Sequence, residues 1–101
     1  MMDYDGTDIT NWSVPGDLEG ICIADTATDF IYVGIEQPDD GIKEFNVSSG
    51  QVTRFFDLTP WMQSVDPNLG LEALTFIPDS SSAEGGYFYA GIWSEYYFCI
   101  P

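Results

Sequence analysis

A chain of 101 residues is one domain or part of one, and its 45% apolar and 16% aromatic content exclude the disordered class. Its 17 Asp and Glu residues face only Lys43 and Arg54, giving a net charge of −15. That charge excludes nucleic acid, anionic membranes and other polyanions as direct partners and favours divalent cations, or anionic substrates reached through one.

The N-terminal stretch "MMDYDGTDIT" is acidic and carries no apolar h-region of a signal peptide. Its "DYDGTD" run (3–8) lacks the ligand spacing and the twelfth-position Glu of a calcium loop, and reads as an acidic leader. Next comes "TDITNWSVPG" (7–16), which resembles "QVTRFFDLTP" (51–60) further on. β-branched and aromatic residues then predict strands at 20–24, 30–35, 42–47 and 51–58, broken by turns at "DTATD", "QPDDG" and "VSSG". "NVSSGQV" predicts a tight hairpin with Gly50 at positive φ. "TPWMQSV" (59–65) predicts a helical turn, with Thr59 as its cap and Pro60 in its first position. The longest apolar run, "FIYVGI", is far short of a membrane span. Cys22 and Cys99 lie in apolar strand-like runs and read as buried free thiols, since a bridge needs their Cα atoms within about 7 Å. The sequons at Asn11 and Asn46 matter only in a secretory eukaryotic setting.

The second half repeats the first. "LEGICI" (18–23) pairs with "LEALTF" (71–76) at an offset of 53, and "FIYVGI" (30–35) with "YFYAGI" (87–92) at 57. The four extra residues are expected in the loop "PDSSSAEGG", and "IKEFNV" (42–47) matches "YYFCIP" (96–101) more weakly. Short strands in units of about 50 residues, four to a unit, predict an all-β chain of four-stranded antiparallel β-propeller blades. The expected layout is an acidic leader and the start of a blade-closing strand at 1–13, then the outer strand's end and one full blade at 14–58. A linker with the helical turn follows at 59–70, and a second, incomplete blade at 71–101. Two blades cannot close a ring alone. The chain therefore calls for the missing blades of a longer protein or for copies of itself, three of which would make a six-bladed ring.

The run from Gly16 to Leu58, "GDLEGICIADTATDFIYVGIEQPDDGIKEFNVSSGQVTRFFDL", resembles a blade of the phytase-like β-propeller family, the esterase-like phytases to which SdiA-regulated proteins are related. The phrases that carry the likeness are Asp17–Ile21, Phe30–Glu36, Ile42–Val47 and, in the second copy, Gly70–Leu74, within a resemblance spanning residues 14 to 101. The second copy departs from it with Ala73 in place of Gly, and with Trp93 where the first copy has Glu36. The resemblance implies a propeller hydrolase of phosphomonoesters or esters that uses calcium, in a periplasmic or secreted setting. A non-catalytic propeller module that binds a ligand or a protein is the alternative.

The chemistry must rest on few residue types. No histidine is present, which removes Ser-His-Asp and Cys-His catalysis and imidazole zinc sites, and no Walker-type loop occurs. In a closed ring, Glu19 and Glu72 would open the innermost strands of neighbouring blades and converge at the tunnel mouth. Converging carboxylates call for a proton or a hard divalent cation, and the resemblance implies that this cation is Ca2+, with Asp17 and Glu36 adding to its shell. The other reading of Glu19 and Glu72 is structural, each bonding backbone N–H groups of the next blade. Glu36, Asp39 and Asp40 together read as solvated loop acids, and Trp61, Trp93 and "EYYF" as packing between blades.

Overall fold

The computed structural model describes Gly6 and residues 11–37, 39–61, 70–92 and 97–100, with Trp61, Ile92 and 97–100 as backbone only. Residues 1–10 of the acidic leader apart from Gly6, residues 62–65 of the expected helical turn, Trp93, Glu95, Tyr96 and the side chains of Tyr97, Phe98 and Cys99 lie outside the described residues. Among the described residues seven strands form two antiparallel sheets. The first is β1 (Leu18–Cys22), β2 (Phe30–Ile35), β3 (Gly41–Asn46) and β4 (Gln51–Asp57), in chain order across the sheet. The second is β5 (Leu71–Pro78), β6 (Gly86–Ile92) and β7 (Tyr97–Ile100), also in order. Consecutive hairpins leave β1 and β5 as the edge strands of two stacked sheets that pack side by side, so the chain is a partial propeller of one full blade and most of another. Among the described residues no helix is long and apolar enough to cross a membrane.

The core lies between the blades. Period-2 alternation turns Tyr32 of β2, Ile42 of β3 and Phe56 of β4 onto one face of the first sheet, where they meet Leu71, Leu74, Phe88 and Ala90 of the second. Phe88 is central to this seam, its ring lying 4.8 Å from Tyr32, 5.0 Å from Phe76 and 6.0 Å from Phe56 between centroids. Close approach of the blades requires small residues. A Cβ on Gly34 would come within 2.7 Å of Leu71 Cδ2, and one on Gly20 within 3.0 Å of the Leu74 nitrogen.

Several expectations are revised. β1 begins at Leu18 rather than residue 20, because the ladder with β2 absorbs an irregularity at Glu19: Leu18 pairs with Ile35 and Gly20 with Gly34. Residues 11–13, expected within the start of a blade-closing strand, and 14–15, expected within its end, form no strand. Instead Trp12 donates from Nε1 to the Val47 carbonyl (3.1 Å) and sets its ring edge-on to Phe45, while Lys43 Nζ donates to the Pro15 carbonyl at 2.7 Å. The segment thus lies across the face of the first sheet that points away from the second. The four extra residues of the second copy lengthen the hairpin arms and not the turn. Both turns (23–29 and 79–85) have the same length, and β5 and β6 add the rungs Phe76–Phe88, Ile77–Tyr87 and Pro78–Gly86. The short helical turn, Thr59–Trp61, is capped from outside: Asp57 Oδ1 accepts the Thr59 N–H (2.9 Å) and hydroxyl (2.6 Å). The β3–β4 hairpin forms as expected, with Gly50 at φ 71° and Asn46 Oδ1 accepting the N–H groups of Ser48 and Ser49.

Candidate metal centre

The repeated Leu-Glu-small phrase marks the same backbone device in both blades. In β1 the residue between paired Leu18 and Gly20 is Glu19; in β5 the residue between paired Leu71 and Ala73 is Glu72. Each Glu is the extra residue of a β-bulge, with no partner on the neighbouring strand, so a charged side chain is turned out of the ladder without disturbing the apolar positions around it. The Leu before it stays in register, and the small residue after it lies where the sheets approach.

Around the first bulge the chain gathers acids. The β1–β2 ladder runs on past β1: the Asp17 N–H donates to the Gln37 carbonyl and the Glu36 N–H to the Asp17 carbonyl, both at 2.9 Å. This places Asp17, Glu19 and Glu36 together, with one carboxylate oxygen of each within 4.8 Å of the others. Burial and then the negative charges of Asp17, Glu72 and Glu36 push the Glu19 carboxyl above its ordinary pKa. Glu72 is therefore near enough to act on Glu19 through its field, although it is not part of the close trio. The donor set is all carboxylate, hard and anionic, and fits a hard divalent cation better than a soft one.

Glu36 and Asp40 are not solvated loop acids. Glu36 is buried, only 7% exposed, and its Oε1 accepts the Gly70 N–H at 3.0 Å; Asp40 is half-buried, and its Oδ1 accepts the Leu71 N–H at 3.0 Å. Only Asp39 remains exposed. Two carboxylates of the first blade thus cap the start of the second blade's inner strand. The geometry explains why the second copy has Gly70 where the first has Asp17: a Cβ there would collide with Asp40 Oδ1 and crowd Glu36 Cγ. Burial is also the main cause of a raised pKa at Asp40, opposed by its bond from Leu71. Among the described residues neither Glu19 nor Glu72 accepts an N–H from the neighbouring blade. The inter-blade bonding expected of that pair is done by Glu36 and Asp40 instead.

One acid escaped the sequence reading. Glu44, 5% exposed, accepts hydrogen bonds from the Tyr32 hydroxyl (2.8 Å) and Thr53 Oγ1 (2.8 Å), with Arg54 at 3.7 Å. Strand register carried the signal, since Tyr32, Glu44 and Arg54 sit opposite one another across β2, β3 and β4. Burial, followed by the Glu44 bond and charge, pushes Tyr32 up to about 12. Cys22 is a free, half-buried thiol that burial raises to about 11, so it is protonated and unreactive at neutral pH.

Blades of this form, with a bulged acid opening the inner strand, define a β-propeller-type protein. The chain belongs to the phytase-like family: the family model described as esterase-like activity of phytase matches residues 1–95. Comparison with curated proteins and with solved structures gives no match.

Proposed function

We propose that the chain supplies two adjacent blades of a phytase-like propeller hydrolase, and that Asp17, Glu19 and Glu36 hold calcium at the mouth of its tunnel. The observation that carries this reading is the convergence of those three carboxylates beside the inner strand. Like charges so close are stable only with a shared proton or a cation, and at neutral pH a hard cation is the stronger remedy. When bound, such an ion supplies Lewis-acid polarisation of a phosphoryl or carbonyl oxygen and an acidified water. The chain's own residues hold and orient. Glu36 is fixed through Gly70, Asp17 through the extended ladder, and Glu72 adds negative field from the next blade. The substrate class is a phosphomonoester or simple ester, and of the two the anionic phosphomonoester is the one this acidic surface would repel without a bridging cation.

The site belongs to a larger ring. The outward side of the first blade exposes Leu18 (47%), Ile21 (63%) and Phe55 (44%), a strip that a further blade would cover. That blade comes from a longer chain or from another copy of this one.

Calorimetric titration with calcium, paired with hydrolysis of p-nitrophenyl phosphate and p-nitrophenyl acetate with and without chelator, tests the reading. Stoichiometric calcium binding with chelator-sensitive turnover is expected. Calcium binding without turnover on either substrate would assign the chain to a binding module, and absence of calcium binding would overturn the proposal.

A further inference from the structure

At the end of the blade seam away from the acids, the β1–β2 and β5–β6 turns flank a cleft of about 310 Å3. Its apolar walls are Phe30 and Tyr32 of β2 and Phe76 of β5; its polar lining includes Asp25, Thr28 and Glu84 from the two turns. The walls are held in place. Tyr32 and Phe76 both rest on Phe88, and the Tyr32 hydroxyl is anchored on Glu44. The Asp25 turn is fixed as well: Oδ1 accepts the Ala27 N–H (2.9 Å), and the Asp25 carbonyl accepts the Thr28 N–H (3.2 Å) and hydroxyl (2.9 Å). Among the described residues no cationic side chain lines the cleft. Lys43 is bound to the Pro15 carbonyl, and Arg54 lies beside Glu44 over the Phe56 ring, 4.6 Å from its centroid.

We propose that this cleft binds a small alkylammonium compound, a weakly hydrated cation on an apolar stem. Aromatic faces attract a cation through their quadrupole, and most effectively one whose hydration is already weak. The carboxylates of Asp25 and Glu84 add Coulomb attraction at the rim, and the apolar stem replaces water against Phe30 and Phe76. Anionic compounds are repelled by the same groups. A hard divalent ion gains little here, because two acids on separate turns do not make an oxygen cage. The assignment is independent of the hydrolase reading.

The test is titration of the 15N-labelled chain with choline, following the amides of Asp25, Thr28 and Gly85. Sodium chloride at equal ionic strength and the neutral isostere 3,3-dimethylbutan-1-ol serve as parallel arms. Saturable shifts confined to this end of the seam are expected with choline alone. The double variant Asp25→Asn, Glu84→Gln keeps the turn's acceptor oxygen and is expected to fold while weakening choline binding about fivefold or more. Equal shifts from the neutral alcohol or from sodium would overturn the proposal. So would shifts centred on Asp17 and Glu19, a non-saturating titration, or a folded double variant that binds choline unchanged.

Discussion

In the first blade the bulged Glu19 stands between Asp17 and Glu36; in the second the bulged Glu72 follows Gly70, and Trp93 occupies the sequence position that corresponds to Glu36. The backbone device is shared and its chemical surroundings are not. A duplicated strand can keep its bulge, because the bulge depends only on the ladder that surrounds it. The acids around it are free to diverge, and here they diverge according to neighbour. Asp17 is exposed among the described residues, whereas residue 70 lies against two carboxylates of the blade before it. The repeated Glu is thus architectural in origin, and among the described residues only the first copy gathers two further carboxylates about it.

Making the second copy read like the first is the most disruptive change. Gly70→Asp brings a Cβ against the Asp40 carboxylate and adds a third charge beside it and buried Glu36, so a loss of about 2 kcal/mol or more is expected in urea unfolding. The reverse change, Asp17→Gly, meets no such crowding and is expected to cost less than about 1 kcal/mol. Equal losses would sink the account of why the copies differ. Next in size is the contrast between the bulged acids themselves. Glu19→Gln is expected to lower calcium affinity about tenfold or more, and Glu72→Gln by only a few-fold, since Glu72 acts through its field and lies outside the close trio. Calorimetry on the two variants reads the difference directly, and a larger effect at Glu72 would move the site to the second bulge.

The smallest effect is on pH dependence in the absence of metal. Glu19, raised by burial and its acidic neighbours, and Asp40, raised by burial, hold protons more tightly folded than unfolded. Their contribution to stability therefore grows as pH falls through their raised values and is lost as pH rises. Asp57 and Asp79 run the other way. Hydrogen bonds from Thr59 and Ser81 hold them low, so they stabilise above their unfolded values and stop doing so as pH falls through the folded ones. The melting temperature is expected to climb from neutrality toward the ordinary carboxylate range, about pH 4, and to drop below it. A steady decline from pH 7 downward would show that the clustered acids carry no strain.

The sequence by itself determined the strands, the repeat, the blade class and the hairpin at Gly50, because alternation of apolar residues and turn chemistry are local properties that each unit carries alone. It also singled out Glu19 and Glu72 through the phrase they share, and Asp17 and Glu36 through the family it resembles. Their division of labour was decided by tertiary structure. Whether Glu36 and Asp40 are wet or buried depends on where the second blade's first N–H groups arrive, 34 and 31 residues further along the chain. Whether Glu44 is exposed depends on what lies opposite it on β2 and β4. Where the four extra residues go depends on how far the β5–β6 ladder can extend before it turns. Each of these is set by a partner distant in sequence, and a local pattern holds no information about which carboxylate will meet which N–H once two blades close on each other.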